Sequence, residues 1–258
     1  MNQRRVLLTG ASSGIGKALS ERFAREGYHL VLVARRESAL NALAETLRVA
    51  HQIQVDVVSQ DLAEPGAAQK LVKTLAQKGL EIDVLVNNAG FGLNGGFADL
   101  PLEQWNSMVQ LNVTTLMELT HLLLKGMRQR GFGRILNVAS VVSFMPCPNF
   151  AIYAASKAFV LSFSQALHHE LRQENIRVTA LCPGATATEF HEVAGNHGTL
   201  ITRWMDTPEQ VADEAYRALM RERSMVISGW INKPLPFFLR LSPRSWVLRI
   251  AEGMARHA

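Results

Sequence analysis

Tyr153 and Lys157 stand four positions apart in the run Tyr153-Ala154-Ala155-Ser156-Lys157. Ala158, Phe159, Val160, Leu161, Phe163, Ala166 and Leu167 follow at helical spacing. Positions i and i+4 share a helix face, so the phenol and the ammonium can aim at one point. A phenol with a pKa of about 10 is a poor acid near neutrality, and a nearby cation lowers that value. Such a pair suits proton transfer to or from a carbonyl or alcohol oxygen. Tyr-x-x-x-Lys alone also fits the surface of an amphipathic helix, so its weight depends on the elements that would position it.

Those elements begin at the N-terminus. Arg5 to Thr9 reads as a short buried strand, Gly10-Ala11-Ser12-Ser13-Gly14-Ile15-Gly16 as a turn, and Lys17 to Ala24 as a helix. Gly10 can take a positive φ, and the bare Cα atoms of Gly14 and Gly16 allow close backbone approach. A helix N-terminus behind such a turn offers N–H groups and a positive dipole end to a phosphate. The spacing is G-x-x-x-G-x-G, which departs from the G-x-G-x-x-G dinucleotide fingerprint. The second strand, His29 to Ala34, ends in Arg35-Arg36 rather than an acidic residue. An acid there would accept from a ribose 2′-hydroxyl. Two guanidiniums grip a 2′-phosphate instead. Ser13 could add a hydroxyl donor, so the stretch favours NADP(H).

Alternation continues through a helix over Glu37 to Ala50, a strand over Ile53 to Val58 closing on Asp61-Leu62, and a helix over Glu64 to Lys78. A fourth strand, Asp83 to Asn87, leads to Asn88-Ala89-Gly90, and Pro101 to Arg130 reads as one long helix with Asn112 inside it. Gly133 to Ala139 forms a fifth strand closing on Ser140, and Ile176 to Leu181 a sixth closing on Cys182-Pro183-Gly184. Pro208 to Arg223 is a helix and Met225 to Ser228 a seventh strand. This rhythm implies an α/β chain with a Rossmann-like, doubly wound, seven-stranded parallel sheet and helices on both faces. Ligands bind at the carboxyl ends of such strands, where Gly10, Arg35, Asp61 and Asn88 all fall.

Hydrophobic residues make up 48% and charged residues 19% of the 258, enough for a sizeable core. The net charge of +5 suits an anionic ligand, but scattered basic residues without a long Lys/Arg run argue against nucleic acid. Cys147 and Cys182 lack CxxC spacing, and the eight histidines form no ligand cluster. Neither a disulfide framework nor a metal site is expected. No signal segment or membrane span is evident, so a soluble cytoplasmic protein is the expectation.

The chain resembles the short-chain dehydrogenase/reductase family over roughly residues 5 to 228. The resemblance rests on Thr9 to Gly16, Asn87-Asn88-Ala89-Gly90, Asn112, Ser140, Tyr153-x-x-x-Lys157, and Pro183-Gly184 followed by Thr186 and Thr188. It implies Tyr153 as general acid in reduction and base in oxidation. Lys157 would bind the nicotinamide ribose and depress the tyrosine pKa, Ser140 would orient the substrate oxygen, and Asn112 would hold a water in a proton relay. The cofactor contacts implied are Gly10, Ser12, Ser13, Gly14, Ile15 and Gly16 in the turn, and Arg35 and Arg36 at the 2′-phosphate. Asp61 and Leu62 would lie at the adenine, and Asn88, Ala89 and Gly90 on the ribose side. Tyr153, Lys157, Pro183, Gly184, Thr186 and Thr188 would reach the rest. Family habit implies a homodimer or homotetramer.

Two regions carry the question of substrate. Residues 187–205 read as a lid with Phe190, Val193, Leu200, Ile201, Trp204 and Met205, while Phe91, Phe144, Met145 and Phe150 flank the crevice. An apolar carbonyl or alcohol substrate follows. Residues 229–258 form an extension of the catalytic unit 1–228, with apolar residues interleaved by Arg240, Arg244 and Arg249. It could cover the crevice or a partner subunit, lie weakly on an anionic membrane surface, or stay loosely ordered. Beside the reductase reading stand an alcohol dehydrogenase running oxidatively and an NAD(P)-binding sensor or scaffold without turnover.

Overall fold

The computed structural model describes residues 4–187 and 206–256. The strands are β1 (Arg5–Thr9), β2 (His29–Ala34), β3 (Val55–Ser59), β4 (Val84–Asn87), β5 (Gly133–Val138), β6 (Ile176–Cys182) and β7 (Met225–Ile227). They form one parallel sheet in the order β3-β2-β1-β4-β5-β6-β7. The helices that pack on it are α1 (Gly14–Arg25), α2 (Glu37–His51), α3 (Ala67–Gln77), α4 (Leu102–Val109), α5 (Leu116–Arg130), α6 (Ala151–Glu170) and α7 (Pro208–Met220). Two more, α8 (Leu235–Leu241) and α9 (Arg244–Arg256), follow β7.

The pleat sends alternate strand residues to opposite faces. Val6 and Leu8 pack with Leu30, Leu32, Phe23 of α1, Leu47 of α2 and Val211 of α7. Leu7 packs on the other face with Val31, Leu85, Leu71 of α3 and Leu119 of α5. Both faces are covered, which is why the strands read as unbroken apolar runs. The order in which the chain adds strands reverses between β1 and β4, and that switch point opens the crevice.

Three boundaries differ from the sequence expectation in ways that matter. First, α1 begins at Gly14, so its first turn lies inside the glycine segment itself. Second, α3 begins at Ala67 rather than Glu64, because Gly66 takes φ +77° before it. Third, the single helix expected over Pro101 to Arg130 is broken: Gln110–Thr115 is a π-helical turn between α4 and α5. Asn112 and Thr115 are its buried residues, and wide turns of this kind often mark functional sites. The lid expected over 187–205 lies, beyond Ala187, outside the described residues, and so does Thr188.

Candidate active site

The glycine turn is held by contact rather than by composition. Gly10 takes φ +67° and Gly14 φ +51°. The Gly10 amide donates to the Val33 carbonyl at 2.8 Å, fixing the turn against the end of β2. A Cβ on Gly16 would lie 2.1 Å from the Gly10 oxygen, well inside van der Waals contact. Asn88 braces the same turn from β4: its Nδ2 donates to the Thr9 and Gly10 carbonyls at 3.0 and 3.1 Å. The first turn of α1 carries no acidic residue and the Ser13 side chain does not cap it. Its amides therefore suit a phosphate.

At the end of β2, Arg35 and Arg36 both line the cleft. Arg36 donates to Ser12 Oγ at 3.3 Å, and Arg35 lies 3.9 Å from Asp61. Asp61 accepts from the Ala63 amide at 2.9 Å, a turn that presents Leu62 to the cleft. Thr115, from the π turn, donates to the Leu62 carbonyl at 2.8 Å. The π turn thus ties the loop after β3 to the helix beneath it.

On α6, Tyr153 and Lys157 share the buried face with Val160, Leu161 and Ser164. Lys157 is 5% exposed, and its Nζ donates to the Val138 carbonyl at 2.8 Å. Burial pushes the lysine down to about 8, with the Cys182 thiol pulling it back up. Burial likewise pushes the Tyr153 phenol up to about 12, while a hydrogen bond with Ser140 works in the opposite direction. The Lys157 ammonium lies over the Tyr153 ring. The Nζ stands 5.8 Å from the ring centroid, and desolvation of the phenol dominates.

Ser140 caps a 3-10 turn, Val141–Phe144, in which its Oγ accepts from the Val142 amide at 3.3 Å. Ser143 accepts from the Ser140 amide at 3.2 Å and donates to the Lys157 carbonyl at 2.9 Å, linking this turn to α6. Asn112 does not line the cleft. Its Nδ2 donates to the Phe91 carbonyl at 2.9 Å and Ser156 Oγ at 3.2 Å, and its Oδ1 accepts from the Phe91 amide at 3.2 Å. A Cβ on Gly90 would lie 2.9 Å from Asn112 Oδ1 and 3.3 Å from Lys157 Nζ. Position 90 therefore brings the asparagine and the lysine to one point.

All the expected site residues except Asn112 and Thr188 meet in one cleft of about 1670 Å³. Its far end is apolar, with Phe91, Leu93, Met145, Phe150, Phe238 and Leu239 in its wall. Phe144, expected there, packs instead with Leu116 and Val160. Ser143, Ser156 and the Val138 carbonyl were not expected. Ser140-x-x-Ser143 is legible as a capping pair, whereas a backbone acceptor leaves no sequence signal. Pro183, Gly184 and Thr186 lie where β6 ends; Thr186 bridges to Asp206, and Asn232 crowds Gly184. Among the described residues no group of His, Cys, Asp and Glu could hold a metal ion, and no helix is long and apolar enough to cross a membrane.

A parallel sheet with a glycine turn at its switch point, and Ser140, Tyr153 and Lys157 lining the same cleft, belongs to a known class of oxidoreductases. The short chain dehydrogenase family profile matches residues 4–197, and the chain belongs to that family. It is 37% identical over 215 residues to sulfoacetaldehyde reductase 2 of Chromohalobacter salexigens, covering 81% of this chain and 84% of that one. To the 7beta-hydroxysteroid dehydrogenase of Mediterraneibacter gnavus it is 33% identical over 230 residues, covering 88% and 86%. The fold superposes on a short-chain dehydrogenase from Sphingobium yanoikuyae in complex with NADPH with a TM-score of 0.83, at 36% identity and 92% coverage of each chain.

Proposed function

We propose that this chain is an NADP(H)-dependent carbonyl reductase acting on a bulky apolar ketone or aldehyde. The observation that carries the proposal is the buried Tyr153 phenol, hydrogen-bonded with Ser140, in a cleft that also takes in Arg35 and Arg36. The glycine turn and the open first turn of α1 fit a diphosphate, and the two guanidiniums fit a 2′-phosphate. The NADPH-bound relative supports this choice of cofactor.

Bound NADPH supplies the hydride. The chain's own groups position the substrate and manage the proton. Ser140 hydrogen-bonds the substrate oxygen and sets its distance from Tyr153. The phenol protonates that oxygen as charge develops on it, which suits a group held neutral by burial. The Lys157 ammonium stabilises the phenolate left behind and, pushed down to about 8, can pass a proton on. Asn112 positions Lys157 through Gly90 and Ser156 and supplies the site for a relaying water. In the reverse direction, with NADP+ as the hydride acceptor, the same residues would take up the proton of an alcohol.

The apolar far wall supports a substrate with a hydrocarbon body, as does the steroid-acting relative. In this reading residues 1–228 form the catalytic unit and 229–258 cover its substrate end. The protein works in the cytoplasm as a homo-oligomer, for which exposed Val109, Met117 and Phe159 offer apolar surface. A fluorescence titration with NADPH and NADH, followed by NADPH oxidation with aldehydes, ketosteroids and 3-oxoacyl esters, tests the proposal. Tight NADPH binding and turnover of the bulky ketones is the expected result. Binding without turnover of any carbonyl would favour the sensor or scaffold reading.

A further inference from the structure

The helices after β7 serve two environments. Leu235 and Leu239 of α8, with Val247 and Ala251 of α9, line the cleft. Other residues of the same helices do not reach it. Phe237, Leu241, Trp246 and Leu248 are 66%, 70%, 63% and 41% exposed. Arg240, Arg244 and Arg249 are exposed among them. Large apolar side chains clustered outside a core mark an interaction surface. Its chemistry is specific: aromatic rings interleaved with cations, on short helices. Between residues 229 and 258 the basic residues are Lys233, Arg240, Arg244, Arg249 and Arg256, and Glu252 is the one acid.

We infer that this surface seats the protein on an anionic lipid bilayer. The Trp246 indole, apolar with one N–H, favours the boundary between acyl chains and headgroups, and Phe237, Leu241 and Leu248 favour its acyl side. Arginines beside them meet headgroup phosphates and gain from the negative surface potential of the leaflet. A second copy of the chain is the other occupant of the right shape. A two-fold contact would set the same patch against itself, placing arginine against arginine with almost no acid to offset them. Like charges so juxtaposed suppress pairing. The apolar residues enter the interface without spanning it, since no described helix is long and apolar enough to cross.

The test uses the full chain and vesicles of phosphatidylcholine, with and without phosphatidylglycerol, in a sedimentation assay at low and high salt. The expected result is co-sedimentation with the anionic vesicles, little with the neutral ones, and loss at high salt as screening shortens the reach of the charges. The triple variant Arg240→Gln, Arg244→Gln, Arg249→Gln should partition roughly 100-fold more weakly. Phe237→Ser combined with Leu241→Ser and Trp246→Ser should also release the protein. Circular dichroism, which does not depend on any activity, reports that both variants fold. Absence of binding to anionic vesicles, or undiminished binding by the folded arginine variant, overturns the inference. So does a dimer that the serine variant dissolves, which would assign the surface to a second copy.

Discussion

Asn88 fills the space that a side chain at position 16 would need. Its Nδ2 lies 2.5 Å from the place of a Cβ on Gly16, and the Gly10 carbonyl oxygen lies 2.1 Å from it. The ends of β1 and β4 and the start of α1 therefore meet without slack. Gly16→Ala must shift backbone, and overpacking of this kind costs about 1–3 kcal/mol. Urea unfolding should report that loss, and dinucleotide affinity should fall with it. An alanine variant with wild-type midpoint and affinity would show that the turn has room to yield.

Tyr153→Phe keeps the ring, and with it the edge contact to Phe150 at 6.3 Å. It removes the phenol proton that the proposed mechanism delivers to the substrate oxygen. Turnover should drop roughly 100- to 10,000-fold, while unfolding and nucleotide binding stay near wild type. Steady-state NADPH oxidation beside a nucleotide titration checks this. Undiminished turnover would assign the proton to another group.

Arg35→Asp, and Arg36→Asp separately, should weaken NADPH by roughly 10- to 100-fold, the scale of a lost charge-assisted hydrogen bond. NADH, without the 2′-phosphate, should change little. Arg36→Asp also ends the contact with Ser12, so its effect should be the larger on turn order. Fluorescence titration of each variant with both nucleotides decides the matter, and equal losses would remove the 2′-phosphate role.

The pH dependence of stability carries the signature of Lys157. Its folded pKa of about 8 lies below the ordinary value of 10.5. Between those values the unfolded chain binds more protons than the folded one, so stability rises with pH. From about pH 9 upward Cys182, raised to about 12, acts in the opposite direction, and from about 10 Tyr153 does too. The clean window is therefore pH 8 to 9. There the stability difference between wild type and Lys157→Met should grow by about 1 kcal/mol in favour of wild type. Urea unfolding of both proteins at the two pH values measures it. A constant difference would mean that Lys157 titrates near its ordinary value.

The parallel sheet and most of the site were legible because each carries a local signal. Apolar runs gave the strands, and the strand ends gave Gly10, Arg35, Asp61, Asn88 and Ser140. Hidden features depend on distance through space. The π turn at Gln110–Thr115 has no periodicity of its own; only the oddity of Asn112 inside a helix hinted at it. Four-residue spacing says that Tyr153 and Lys157 share a face and says nothing of how dry that face is, and both side chains are buried. Phe144 was placed in the crevice by proximity along the chain, yet the 3-10 turn capped by Ser140 rotates it toward Leu116 and Val160.

Part of the cleft wall, Leu235, Phe238 and Leu239 of α8 and Val247 and Ala251 of α9, follows the last strand. None of the hydrogen bonds that fix Lys157 or Asn112 originates in them. That part of the wall is thus written apart from Ser140, Tyr153 and Lys157. Exchange of the last two helices for others of the same length can re-cut the chamber without touching those hydrogen bonds. Such an arrangement lets substrate range diversify at little risk to the chemistry, and it marks the stretch after β7 as the natural graft point for redirecting the enzyme.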